Sequence, residues 1–219
     1  MTGLSYIRAF CAGAFMLITT MGAAMAADLE NTLYLETKDG RVVIELRPDL
    51  APRHVERIKE LVREKFYDGL KFHRVIDGFM VQTGDPNGDG TGGSDKGNLP
   101  PEFSSEKHLR GVLSMARSAS PSSANSQFFI MLGDSDWLDN KYTVWGKVTS
   151  GMEFVDMIKK GDSGNNGSVR DPDSIVTFRV GADVEKKKLL SGSSVPVQAG
   201  RLNFFRAFSV ASRAKHPSI

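Results

Sequence analysis

Residues 72–85 read Phe72-His73-Arg74-Val75-Ile76-Asp77-Gly78-Phe79-Met80-Val81-Gln82-Thr83-Gly84-Asp85. Apolar and polar side chains alternate on both sides of Asp77-Gly78, the pattern of two short strands folded about a tight turn. In such a hairpin Arg74 and Gln82 share one face, beside Phe79 or Met80. A fixed cation next to aromatic and thioether surface is an unusual combination. Taken alone, the stretch also reads as an ordinary hairpin with a surface arginine, and both readings stay open at this point.

The strand pattern spreads in both directions. Upstream, Leu33–Thr37 and Val42–Leu46 alternate and are joined by Lys38-Asp39-Gly40, a hairpin signal. Downstream, Gly111–Met115, Gln127–Leu132, Tyr142–Val148 and Ile175–Val180 are short runs rich in β-branched and aromatic residues. Within the quoted stretch the strands are Phe72–Val75 and Phe79–Thr83. Two helices interrupt the series. One begins near Pro52 and carries Val55, Ile58, Leu61, Val62 and Phe66 at helical spacing, with Gly69 as its exit. The other spans Met152–Ile158. No internal repeat is evident, and many short strands with few helices imply a closed barrel or a sandwich.

The ends of the chain have a different composition. Arg8 precedes an uncharged run from Ala9 to Ala27 that closes on Ala23-Ala24-Met25-Ala26-Ala27. This is the order of a secretory signal, with cleavage expected after Ala26. An uncleaved anchor is the competing reading. Gly13, Thr19, Thr20 and Gly22 weaken it, because a span needs about 20 strongly apolar residues. Cys11, the only cysteine, leaves with the signal, which excludes thiol catalysis and cysteine metal sites in the mature chain. After Glu185 come seven basic residues and no acid; between residues 27 and 185, 26 acidic residues face 20 basic ones, a net charge of −6. An acidic domain argues against general nucleic-acid binding. The expected organisation is a signal over 1–26, one domain over 27–185 and a basic, flexible tail over 186–219, with Ser191-Gly192-Ser193-Ser194 resembling a linker. In the tail, Phe204, Phe205, Ala207, Phe208 and Ala211 share one helical side, but Leu202, Val210 and Arg201 break the pattern. A disordered tail is therefore favoured over a membrane-surface helix.

Other candidate chemistries fail on their residues. Asp85-Pro86-Asn87-Gly88-Asp89-Gly90 opens like a calcium loop, but position twelve is Lys96 where a bidentate Glu is needed. Extended through Thr91-Gly92-Gly93, it lacks the Gly-Lys-Ser/Thr ending of a phosphate cradle. His73 and Asp77 with a serine suggest a hydrolase, yet no serine has a nucleophile-elbow context. His73 in a strand beside an aromatic reads instead as a structural hydrogen-bonder.

The quoted stretch resembles the signature of the cyclophilin family. The resemblance continues in Gly111-Val112-Leu113-Ser114-Met115-Ala116, Ser126-Gln127-Phe128-Phe129-Ile130, Trp137-Leu138-Asp139, Val144-Trp145-Gly146-Lys147-Val148 and Gly151-Met152. Order and spacing agree from about Leu33 to Val180. The resemblance implies a mainly β fold, a closed eight-stranded antiparallel barrel capped by two α-helices. It also implies a peptidyl-prolyl cis-trans isomerase (rotamase) of the bacterial exported type, expected in the periplasm as a monomer. Its partners would be proline-containing unfolded or partly folded polypeptides, in protein folding or as a chaperone, with cyclosporin as an inhibitor of the same pocket. Arg74 takes the catalytic role, with Gln82 orienting it. Phe79, Met80, Phe129 and Leu138 form the proline pocket. Gln127 helps to orient substrate, backbone groups of Ala116 and Arg117 pair with the chain before proline, and Trp137 lies at the rim. Tyr142 stands where the family often has His, keeping a ring and a donor. The loop from Ser118 to Asn125 differs from the eukaryotic pattern, and no role carries over to it.

These residues suit the reaction. The uncatalysed barrier is about 18–20 kcal/mol because rotation destroys amide resonance. No bond breaks, so no nucleophile, metal or cofactor is expected. In the twisted state the proline nitrogen gains a lone pair that a fixed guanidinium N–H can meet, which is differential binding of the transition state. The rivals are a binding module that holds such chains without catalysis and a membrane-tethered scaffold.

Overall fold

Eight strands form one antiparallel sheet in the computed structural model of this chain, which describes residues 28–192. The strands are β1 (Thr32–Glu36), β2 (Arg41–Leu46), β3 (Arg74–Ile76), β4 (Met80–Thr83), β5 (Val112–Met115), β6 (Phe128–Met131), β7 (Val144–Ser150) and β8 (Thr177–Val180). Their order across the sheet is β3-β4-β6-β5-β7-β2-β1-β8. Each strand expected from the period-two pattern is present, with ends shifted by one or two residues.

The sheet curls into a half-barrel but does not close, a correction to the closed barrel implied by the resemblance. The end strands β3 and β8 are not paired with each other. Between them, the segments before each strand exchange single hydrogen bonds: Gly69 N–H to Ile175 O at 2.8 Å, Ile175 N–H to Leu70 O at 2.9 Å and Phe72 N–H to Asp173 O at 2.9 Å. The pairing here amounts to an isolated bridge, Lys71 to Ser174, and Asp171, with a left-handed φ of 51°, turns the chain just before it.

Among the described residues, the α-helices that pack against the sheet are α1 (Pro52–Arg63), α2 (Met152–Met157) and α3 (Gly181–Leu190). Pro52 sits in the first turn of α1, and Val55, Ile58, Leu61 and Val62 are buried on one face. The helix ends earlier than expected: Lys65, with φ 61°, takes the left-handed position assigned to Gly69. Gly69 instead turns the chain back towards Ile175. Helix α3 has no counterpart in the sequence reading, and it runs across the 185/186 boundary drawn there from charge. The expected signal over 1–26 and the rest of the tail, 193–219, lie outside the described residues. Among the described residues, no helix is long and apolar enough to cross a membrane.

Alternation along the strands separates two apolar layers. Val81, Leu113, Met115 and Phe128 point into the main core, where Tyr67 and Trp145 meet Phe128 edge-on at 5.5 and 5.3 Å. Their chain neighbours Met80, Val112 and Phe129 point the other way and pack with Met131, Leu138 and Val144. This second layer lies on the opposite face of the strands, and it forms the floor of the site.

Candidate active site

The quoted hairpin forms as its residues predict. Ile76 O accepts from Phe79 N–H at 3.0 Å, closing the turn, and Gly78 takes the positive φ of 68° that the turn needs. The register then sets the site. Arg74 lies opposite Gln82, Gln82 opposite Phe129, and Phe129 opposite Ser114, one row across β3, β4, β6 and β5. Cross-strand partners share a face. The row therefore places the cation, the amide and the aromatic ring side by side.

They line a cavity of 570 Å³ together with Phe79, Met80, Ala116, Arg117, Trp137, Leu138 and Tyr142. Every expected site residue except Gln127 lines this cavity. Gln127 lines a neighbouring one of 470 Å³, which meets the first at Gln82, Gly90, Ala116 and Arg117. Met80, Phe129 and Leu138 are buried floor, whereas Trp137 is 56% exposed at the rim, its ring 5.2 Å from that of Phe79.

Arg74 is held by neutral groups. Its Nη1 donates to Gln82 Oε1 at 3.1 Å, its Nε to Asn166 O at 3.0 Å and its Nη2 to Asn166 Oδ1 at 2.9 Å. Gln82 Nε2 donates in turn to Gln127 Oε1 at 2.9 Å, and Gln127 Nε2 donates to Gly90 O and Gly92 O. The chain ends in the loop that the sequence compares with a calcium site. There the buried Asp85 carboxylate accepts the N–H groups of Asn87, Asp89 and Gly90, so it organises the loop. Several other arginines are spent on acids: Arg47 on Asp49, Arg110 on Asp156 and Arg179 on Asp68. Burial lowers the Arg74 pKa, yet a guanidinium stays charged at neutral pH. The result is a fixed, unneutralised cation over an apolar floor.

A second network backs the floor. His108 stacks against Phe129 at 6.4 Å and meets Tyr142 edge-on at 6.5 Å. Its Nδ1 lies 3.1 Å from Asp139 Oδ1 and its Nε2 lies 2.8 Å from Ser114 Oγ. Serine, histidine and carboxylate thus stand in hydrolase order, but Ser114 is fully buried and offers no nucleophile to solvent. The arrangement clamps the wall. Lys107 and the His108 N–H hold Asp139 well below the usual carboxylate range, while burial lowers His108.

Asn166 and His108 carry no role in the sequence reading. Asn166 sits in Gly164-Asn165-Asn166-Gly167, a visible turn, but its contact with Arg74 spans 92 residues of chain. His73, read from the sequence as a structural hydrogen-bonder, is buried at the same cavity, and neither ring nitrogen has a hydrogen-bond partner among the described residues.

Comparison with known proteins adds the following. A family model described as cyclophilin type peptidyl-prolyl cis-trans isomerase/CLD matches residues 32–180. A probable peptidyl-prolyl cis-trans isomerase of Brucella suis is 53% identical over 196 residues, covering 83% of this chain and 100% of that protein. Peptidyl-prolyl cis-trans isomerase-like 1 of Bos taurus is 40% identical over 132 residues, 58% of this chain and 78% of that one. Among solved structures, cyclophilin AquaCyp293 from Hirschia baltica superposes with a TM-score of 0.62 at 30% identity, over 70% of this chain and 74% of that one. A Cryptosporidium parvum cyclophilin type peptidyl-prolyl cis-trans isomerase, solved in the presence of the dipeptide Ala-Pro, gives 0.63 at 27% identity, over 68% and 98%.

Proposed function

Because this chain belongs to the cyclophilin family of peptidyl-prolyl cis-trans isomerases, we propose that it isomerises Xaa-Pro bonds in exported proteins and that Arg74 is its catalytic cation. The observation that carries the mechanism is the hold on Arg74. Gln82 and Asn166 fix the guanidinium plane without neutralising its charge. The proline ring rests on Phe129, Met80 and Leu138, with Phe79 and Trp137 at the mouth. The substrate chain before proline runs along Ala116 and Arg117 towards the second cavity. As the amide twists, the proline nitrogen becomes pyramidal and its lone pair accepts from Arg74. The planar ground state has no such acceptor, so the bond forms where it lowers the barrier. The apolar floor excludes water and strengthens it. Cyclosporin is proposed to occupy the same cavity. Export rests on the sequence of residues 1–26.

The test is a proline-peptide isomerisation assay on the parent, Arg74→Ala and Arg74→Lys. Loss of one preorganised donor predicts a fall in turnover of about 10²–10³-fold for Arg74→Ala, with peptide affinity and melting temperature little changed. Arg74→Lys keeps the charge but loses the planar donors, and is also impaired. An Arg74→Ala protein that binds peptide and isomerises at the parental rate overturns the mechanism.

A further inference from the structure

Arg117 stands on the ridge between the two cavities and lines both. In the second cavity its neighbours are polar but uncharged, among them Thr91, Ser94, Asn98, Ser123 and Asn125, and Arg117 is the one ionised side chain lining it among the described residues. The guanidinium is fixed. Nε and Nη2 donate to Lys141 O at 3.3 and 2.9 Å, Nη1 donates to Ser118 O at 2.9 Å, and the plane lies 4.5 Å over the Tyr142 ring. Like Arg74, it is held by neutral groups, here backbone carbonyls and a ring face, so its orientation is set and its charge is not cancelled.

Arg74, in the first cavity, is a cation of the same sign. Asp89 is the one acid lining either cavity among the described residues; it stands in the first, and its Oδ1 accepts the N–H and Oγ–H of Thr91 at 2.9 and 2.6 Å within its own loop, so any offset to Arg117 comes from that loop alone. We propose that Arg117 selects substrates carrying a carboxylate within the two residues before the proline. The proposal deepens the isomerase reading and rests on it for the direction of the bound chain. A cation here runs against the net charge of −6 between residues 27 and 185, which repels acidic peptides at long range. Selection is therefore a local effect, best read as a ratio between proteins.

The experiment uses peptides Ala-Ala-Xaa-Pro-Phe and Ala-Xaa-Ala-Pro-Phe with Glu, Gln or Lys as Xaa. kcat/KM and calorimetric affinity are measured for the parent, Arg117→Gln and Arg117→Lys at moderate ionic strength. The Glu-to-Lys ratio is expected to be about two- to fivefold higher in the parent than in Arg117→Gln, the range for a partly exposed ion pair, with Arg117→Lys between them. Equal ratios in parent and Arg117→Gln overturn the proposal. Absence of isomerisation with every peptide overturns the isomerase reading instead, and the calorimetric ratio still decides whether Arg117 selects charge.

Discussion

Asn166 grips Arg74 through two atoms, and the two can be separated. Its φ of 51° is left-handed, so Asn166→Ala would strain the backbone as well as delete the amide. Asn166→Gly removes the Oδ1 contact and keeps the conformation and the carbonyl contact. One neutral partner of about 0.5–1.5 kcal/mol predicts a two- to twelvefold fall in kcat, with a smaller change in KM. An unchanged kcat would show that Gln82 and the backbone suffice. Residue by residue, the sequence exposes the site unevenly. Arg74, Gln82 and Phe129 are legible because β3, β4 and β6 put them in one row, and short alternating strands announce themselves. Asn166 and His108 reach the site from loops, where no period fixes direction, and only the folded chain shows what they touch.

Among the elements, α3 teaches the most. Its sequence, Gly181-Ala182-Asp183-Val184-Glu185-Lys186-Lys187-Lys188-Leu189-Leu190, has no clear apolar stripe, so nothing in the pattern marks it as packed. Its contacts lie in the first turn. Gly181 is buried under the backbone of Leu29 and Thr32, Ala182 packs on the core, and Asp183 pairs with Arg63 at 3.0 Å. Leu189 and Leu190 are 83% and 80% exposed. Among the described residues, a chain ending after Lys186 loses little beyond the part-buried Lys188–Glu185 pair, worth about 0.2–1 kcal/mol. It should catalyse normally and melt close to the parent. A chain ending after Val180 loses the first turn and should melt clearly lower. Equal melting of the two truncations would show that the first turn does not hold the sheet edge. The open edge between β3 and β8 is illegible for a related reason: a family resemblance conveys the barrel, but not that the pairing here amounts to the Lys71–Ser174 bridge beside the turn at Asp171.

For the whole molecule, acid stability follows from its histidines. His54, His73 and His108, three of the chain's four, are buried, and burial lowers each below the ordinary imidazole value. Near pH 6.5 and below, the unfolded chain binds protons that the folded chain refuses. Stability is therefore fully present above about pH 6.5 and falls as the pH drops through that value. The carboxylates act later. Asp68 beside Arg179 and Asp139 beside Lys107 sit below their usual values, and Glu102 does so beside His54 although burial opposes it. Their contribution is present above about pH 4 and lost below it. Urea unfolding between pH 7 and pH 5 should show declining free energy well before the carboxylates titrate. A flat profile over that interval would contradict the burial of the three rings.

The placement of the two tryptophans makes the chain its own optical reporter. Trp145 is 0% exposed inside the core, and Trp137 is 56% exposed against Phe79 at the cavity mouth. An occupant of the cavity dehydrates one indole and leaves the other untouched. Emission then divides into a blue component that is silent to ligand and a red component that shifts with it, and Trp145 serves as internal reference. Unfolding moves the silent component instead, so a single spectrum distinguishes a filled site from a failing fold.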